Sequence, residues 1–299
     1  MILDIKGNSL DDGPGIRTVI FFKGCPLSCV WCHNPEGKRP GPEISFDPNE
    51  CTGCDTCMSV CKRNALDRAN PYFIGRERCT LCYDCVDACP AEALGRVGRY
   101  MEIEEVAAEV EKDLPFFETS GGGVTLSGGE PTLYMEYTAE LLARLREMSV
   151  HTLLETCGLF DLDEFERKVL PLVDTIYFDL KIIDPESHRE QCGVSNETIL
   201  ENFKSLYGRH LEGGPEVLPR IPLIPGITAT DENLKALADF LFENKVRKLS
   251  VLQYNPLWVE KSLKIGGARP SGGNVEWASW MDRQEVARCK AAFCDFELV

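Results

Sequence analysis

Gly24-Cys25-Pro26-Leu27-Ser28-Cys29-Val30-Trp31-Cys32-His33-Asn34-Pro35 sets three cysteines at C-x3-C-x2-C spacing, directly after the apolar run Thr18–Phe22. That run is rich in β-branched and aromatic residues and reads as a strand. Three thiolates can hold three corners of a cubane [4Fe–4S] cluster, which normally takes four cysteines. The fourth iron is then open to a small molecule, as open positions mark reactive metal sites elsewhere. A structural zinc site is the competing reading. It lacks a fourth ligand at zinc-finger spacing, because His33 directly abuts Cys32.

Downstream the chain repeats itself. Cys51-x2-Cys54-x2-Cys57-x3-Cys61 recurs 28 residues later as Cys79-x2-Cys82-x2-Cys85-x3-Cys89, and each copy continues to an Ala-Leu pair, Ala65-Leu66 and Ala93-Leu94. This is the run of bacterial two-cluster ferredoxins, in which the fourth cysteine ligates the other cluster. The expected sets are Cys51, Cys54, Cys57 and Cys89 for one cluster, and Cys79, Cys82, Cys85 and Cys61 for its partner. Zinc ribbons and a redox C-x-x-C are the alternatives, which two complete four-cysteine runs disfavour. The proline-rich stretch Pro35–Pro48 before the repeat reads as a linker.

Composition bounds the rest. The 299 residues include 15 cysteines and carry 32 basic against 48 acidic residues, a net charge of −16. The acidity disfavours nucleic-acid or anionic-membrane partners. Met1–Lys6 lacks the basic start and apolar core of a signal peptide, and no apolar run approaches the roughly 18 residues of a membrane span. Metal ligation in a reducing cytoplasm is the expectation.

From Tyr100 onward, helical and strand periods alternate. Strands are predicted around Gly123–Leu126, Thr152–Glu155, Thr175–Phe178, Val217–Ile221 and Lys248–Leu252, with helices between them. With Thr18–Phe22 this makes about six strand-plus-helix units. The predicted fold class is α/β: a partial, laterally open (β/α)6 TIM-like barrel interrupted by a bacterial 2[4Fe–4S] ferredoxin-like α+β domain. The expected boundaries are 1–34 and 100–299 for the barrel and 35–99 for the insert. Polar or Gly-rich clusters follow nearly every strand, which favours a barrel mouth over the single switch point of an open sheet.

Several of those clusters have plain structural readings. Gly128-Gly129-Glu130-Pro131 fits a strand-to-helix turn, and Asp179-Leu180-Lys181 fits an ion pair at a strand end. Arg220 fits a solvated charge, although its fork also suits a carboxylate. Asp12-Gly13-Pro14-Gly15 has ordinary turn chemistry. Cys157, Cys192, Cys289 and Cys294 read as small buried hydrophobes.

Taken with Asp12-Gly13-Pro14-Gly15-Ile16-Arg17-Thr18, the Cys25–Pro35 stretch resembles the radical S-adenosylmethionine (SAM) superfamily, and within it the glycyl-radical-enzyme activating enzymes. The Gly-Gly-Glu and Asp-Leu-Lys motifs arrive in the order the resemblance requires. It implies that Cys25, Cys29 and Cys32 carry the catalytic cluster, that two further [4Fe–4S] clusters make three, and that SAM is the cosubstrate. It implies SAM contacts from Trp31, Cys32, His33, Gly128, Gly129, Glu130, Asp179, Leu180, Lys181, Arg220 and Asn255, and a role for Asp12 in receiving the partner's peptide.

The implied reaction is reductive cleavage of SAM to a 5′-deoxyadenosyl radical, which removes a glycine Cα hydrogen from a partner glycyl radical enzyme. A flavodoxin or ferredoxin-type protein is the implied reductant. Two departures stand out. Glu155-Thr156-Cys157-Gly158 replaces the family's common Asp-Thr-Asn-Gly, which puts a monovalent-cation site in doubt, and Tyr254-Asn255 replaces a Tyr-His pair. The alternatives are a radical SAM enzyme acting on a small molecule or another peptide, and an iron–sulfur electron carrier that leaves SAM uncleaved.

Overall fold

The computed structural model describes residues 1–267, 277 and 279–299. The chain opens with β1 (Ile2–Ser9), which runs antiparallel to β2 (Arg17–Phe22). Residue pattern alone predicts no strand before Thr18. In the structure, Ile5 pairs with Ile20 and Lys6 with Val19, so the segment is an edge strand whose outer positions alternate polar with apolar.

Residues 43–97 then leave the sheet. β3 (Glu43–Phe46), the short helices α1 (Thr56–Val60) and α2 (Asp84–Asp87), and β4 (Leu94–Val97) make up this unit. β3 and β4 pair antiparallel, Glu43 with Val97 and Phe46 with Leu94, so the two ends of the unit lie side by side. Its apolar core is small, with Ile44, Leu66, Phe73, Ile74, Cys85 and Leu94 buried together. The chain returns along β1, where the Ile2 and Arg99 backbones exchange hydrogen bonds of 2.9 and 2.8 Å.

The stretch expected to be a linker is ordered packing instead. The Gly24 N–H donates to the Gly37 carbonyl (2.6 Å) and the Cys25 N–H to that of Lys38 (3.1 Å). Glu43, at the start of β3, forms a 2.7 Å ion pair with Lys23, which has no exposed surface.

The repeating part follows as α3 (Ile103–Glu111), α4 (Leu114–Ser120), β5 (Gly123–Gly128), α5 (Met135–Glu147), β6 (His151–Thr156), α6 (Leu162–Lys168), β7 (Thr175–Asp179), α7 (Pro185–Cys192), α8 (Glu197–Leu211), β8 (Glu216–Pro222), α9 (Asp231–Glu243) and β9 (Lys248–Leu252). After it come α10 (Trp258–Lys264), α11 (Arg283–Ala291) and β10 (Glu297–Leu298). Helical periodicity marks α3, α5, α6, α8, α9 and α11 but not α4, α7 or α10.

The strand order is β1-β2-β5-β6-β7-β8-β9-β10, parallel from β2 onward. Helices cover it in the manner of βαβ units. α5 shows the logic: Thr138, Leu141, Leu142 and Leu145 recur at helical spacing and are buried. Burying each leucine is worth about 1.5–3 kcal/mol. Side-chain caps fix where helices begin, with Asp161, Asp184 and Thr230 accepting from the N–H groups of Glu164, Ser187 and Asn233. Because β2 and β5 to β9 are parallel, their C-terminal ends all open on one side, and the sequence motifs fall there.

Candidate functional site

A cavity of about 450 Å³ occupies that end, within the usual range for small-molecule sites. Cys25, Cys29 and Cys32 line it from the loop after β2, together with Trp31 and His33. β5 supplies Ser127, Gly128 and Gly129; β6 supplies Glu155, Thr156 and then Cys157; β7 supplies Asp179 and then Lys181; β8 supplies Arg220. Gln253 and Asn255 follow β9, and Asp11 and Asp12 reach in from the β1–β2 loop. Seven separate segments of sequence therefore converge on one space.

The floor is charged. Side chains two apart on a strand share a face, which aims Tyr177 and Asp179 inward together and sets Arg220 opposite Asp179 in register. Arg220 Nη2 lies 2.8 Å from Asp179 Oδ1, and Nη1 meets Glu155. Lys181 Nζ is 3.2 Å from Asp179 Oδ2. Burial alone would raise the Asp179 carboxyl, but Arg220 and Lys181 overcome it and hold the group below the usual range. Burial pushes the Glu155 carboxyl up, against the pull of Arg220 and a 2.6 Å hydrogen bond from Ser127. Lys181 and Arg220 are raised despite burial, Asp179 being the main cause for each, so both stay charged.

Two motif residues do not reach the cavity. Leu180 is buried, and its N–H donates to the Arg220 carbonyl (2.9 Å). Glu130 is fully buried beneath the turn. Its Oε1 accepts from Thr132 N–H (3.1 Å), Thr132 Oγ1 (2.7 Å) and Thr156 Oγ1 (3.0 Å), and its Oε2 from Cys157 N–H (2.7 Å). That carboxylate braces the ends of β5 and β6. The glycines before it have a packing reason: Gly128 sits at φ +100°, and a Cβ on Gly129 would lie 2.2 Å from the Gly24 carbonyl oxygen. Asn255 lines the cavity while its Oδ1 accepts from Leu257 N–H (3.0 Å).

Sequence reasoning missed two residues here. Lys38 lies in the supposed linker, yet it lines the cavity and donates to the Cys29 carbonyl (2.6 Å). Cys157 lines the same cavity as Cys25. Its place directly after a strand was the available signal. Cys192 is buried against Cys29, and this contact is the main cause that lowers Cys29 to about 7. Cys289 is buried as expected, whereas Cys294 is exposed.

The repeated cysteines sort crosswise. Cys51, Cys54, Cys57 and Cys89 line one small cavity with Phe46 and Leu94. Cys85 lies within the electrostatic reach of Cys79, Cys61 and Cys82. All fifteen cysteines are free of disulfides. Among the described residues no three His, Cys, Asp or Glu side chains are grouped around a single ion position, the arrangement a zinc site needs with bonds of about 2.0–2.3 Å.

The donor set fits iron–sulfur clusters and a zwitterionic ligand. Cys25, Cys29 and Cys32 share a cavity with Lys181, Arg220 and Asp179, and His33 Nε2 is buried with no hydrogen-bond partner among the described residues.

Comparison with known proteins agrees with this chemistry. Residues 70–241 match the radical SAM superfamily, more than half the chain, and residues 43–90 match a 4Fe-4S dicluster domain. The isethionate sulfite-lyase activating enzyme of Oleidesulfovibrio alaskensis is 38% identical, covering 90% of this chain and 88% of its own. The trans-4-hydroxy-L-proline dehydratase activating enzyme of Clostridioides difficile is 37% identical over 89% and 87%. The choline trimethylamine-lyase activating enzyme of Oleidesulfovibrio alaskensis is 36% identical over 97% and 94%. Among solved structures, a radical SAM methyltransferase from Sphaerobacter thermophilus shares the fold at a TM-score of 0.53 and 14% identity, covering all of this chain and 76% of that one. The chain belongs to the activating enzymes of glycyl radical enzymes, within the radical SAM superfamily.

Proposed function

We propose that Cys25, Cys29 and Cys32 hold a [4Fe–4S] cluster whose open iron faces the 450 Å³ cavity, with SAM seated beside it. Two further clusters, on Cys51, Cys54, Cys57 and Cys89 and on Cys61, Cys79, Cys82 and Cys85, bring the total to three. When bound and reduced, this cofactor system supplies the single electron that cleaves SAM and starts hydrogen removal from a glycine Cα.

The chain's own residues do the positioning. Arg220 and Lys181 present positive charge to the carboxylate of SAM, and Asp179 fixes both cations. His33 Nε2, unpartnered among the described residues, offers a hydrogen bond to the ligand. Trp31, Asn255 and the Gly128–Gly129 backbone complete the cradle. Glu130 acts through the turn, since its carboxylate is already engaged by four donors. The guanidinium of Arg220 already supplies positive charge beside Glu155, so no additional cation is assigned there. Asp12 at the rim receives the glycine loop of the partner.

The insert relays electrons from a flavodoxin or ferredoxin-type protein, and the work is done in the cytoplasm. The partner is a glycyl radical enzyme of the dehydratase, decarboxylase or lyase type, the kinds named for the relatives. The observation that carries this reading is the convergence of Cys25, Cys29 and Cys32 with Asp179, Lys181 and Arg220 in one cavity.

The test is anaerobic reconstitution with iron and sulfide, then incubation with reductant, SAM and a candidate glycyl radical enzyme. Three cubanes predict about 12 iron atoms per chain, at four per cluster. A glycyl doublet in the EPR spectrum of the partner is the expected result. SAM cleavage without a glycyl radical would move the reading to another substrate, and a count near four irons would remove the two insert clusters.

A further inference from the structure

Two cysteines outside the ligand pattern sit against the cluster loop, each held by the backbone of a different element. Cys157 follows β6 and lines the same cavity as Cys25. Its position is fixed from below, because its N–H donates to Glu130 Oε2 at 2.7 Å.

Cys192 ends α7 and has no exposed surface. Its carbonyl accepts from the Ser28 N–H at 2.7 Å, and the neighbouring Gln191 carbonyl accepts from the Val30 N–H at 3.0 Å, which sets Cys192 against the residues on either side of Cys29. Gly193, at φ +88°, turns the chain away at this point, and a Cβ there would stand 3.1 Å from Ser28. The end of α7 is thus docked onto Ser28–Val30 by two backbone bonds that bracket Cys29.

Nothing in the catalytic reading uses these thiols. A thiolate that ligates iron still carries lone pairs, and an S–H aimed at it donates a weak hydrogen bond. Hydrogen bonds to cluster sulfurs are among the features that set a cluster's reduction potential, because they favour the more negative, reduced state. Surrounding groups tune a metal centre in the same way as they orient its ligands.

We propose that Cys157 and Cys192 are positioning residues whose thiols donate hydrogen bonds to the Cys25 and Cys29 thiolates and raise the reduction potential of the cluster in the barrel. The inference rests on the assignment of that cluster to Cys25, Cys29 and Cys32. It gives Glu130 a consequence at the cluster, since Glu130 holds the Cys157 backbone. It also makes the α7–cluster-loop junction part of the redox apparatus.

The test is an EPR-monitored redox titration of the reconstituted full chain, with and without SAM, for the wild type, C157A, C192A and the two Cys→Ser variants. The SAM-sensitive signal reports the barrel cluster separately from the insert clusters. Each alanine variant is expected to lower the equilibrium constant for reduction about three- to tenfold, tenfold being 59 mV for one electron. Serine keeps a donor and should restore part of the shift at unchanged iron content. Alanine variants that bind full iron and titrate at the wild-type potential would overturn the inference. A wild-type signal indifferent to SAM would instead overturn the cluster assignment, and the inference with it.

Discussion

Arg220 grips Asp179 through two nitrogens, with Nε 2.9 Å and Nη2 2.8 Å from the same carboxylate oxygen, Oδ1. Its third nitrogen meets Glu155, and its guanidinium lies 5.3 Å from the centre of the Tyr177 ring. One cation therefore serves two buried carboxylates. Removing it in R220M should destabilise the fold by about 3–5 kcal/mol, the usual cost of breaking a buried pair. R220K keeps the charge but not the fork, so it should recover only part of the stability. Urea unfolding and equilibrium dialysis with SAM check this together. A fully stable R220M that binds SAM normally would remove Arg220 from both roles.

Glu43 ties the insert to the barrel. It accepts from Lys23 at 2.7 Å, Arg39 at 3.1 Å and Arg76 at 3.2 Å, with Lys23 completely buried. E43Q strands the Lys23 ammonium without a counter-charge, at an expected cost of about 3 kcal/mol. The strain falls where β3 leaves the barrel, so limited proteolysis should accelerate between residues 38 and 48. Unchanged cleavage and stability would show that the 2.7 Å pair contributes nothing to docking.

Much of this was legible from residue spacing, for identifiable reasons. Cysteine runs and strand-end motifs are local, and β5 to β9 are near-continuous apolar runs because both faces of a covered parallel sheet are buried. β1 was missed because an edge strand alternates Asp4 and Lys6 with apolar residues and then runs into a Gly-rich turn. Lys38 was missed because its contact with the Cys29 carbonyl depends on residues 35–38 folding back along the Gly24–Cys25 backbone, which proline content does not announce. Glu130 stands at the expected turn with its carboxylate buried and bonded within the fold. Spacing shows which strand end carries a carboxylate, while only packing shows that Thr132, Thr156 and Cys157 claim it first. Cys157 and Cys192 look like ordinary buried thiols until the cluster loop is laid against them.

The insert should depend on its clusters for order. Only six buried residues form its own apolar core, its helices are five and four residues long, and β3–β4 is a two-stranded pair. Such a unit rarely folds without a metal or another staple. Stripping iron with a chelator under reducing conditions should raise amide exchange across residues 51–92 while β5 to β8 stay protected. Hydrogen–deuterium exchange read by mass spectrometry measures both regions in one experiment. Equal protection of the insert with and without iron would show that its small core suffices.

Acid should weaken the fold through its histidines. Burial is the largest cause that holds His33, His151 and His188 below the ordinary value of 6.5. His188 Nδ1 stands 2.7 Å from the Val194 carbonyl oxygen and must be the donor there, so the neutral ring suffices for this contact. An unfolded chain takes up protons near 6.5, before the folded one does. The stability these groups contribute is therefore complete above that value and is lost as pH falls through it toward their lower folded values. Glu155 works in the opposite direction: its carboxyl is raised, so its contribution is complete below the ordinary 4.5 and is lost as pH rises through its folded value. Urea unfolding between about pH 7.5 and pH 5.5 should show a falling free energy, with H188N giving a shallower slope because one of the three contributors is gone. A flat profile, or an H188N slope equal to that of the wild type, would show that His188 is no more costly to protonate in the fold than in water.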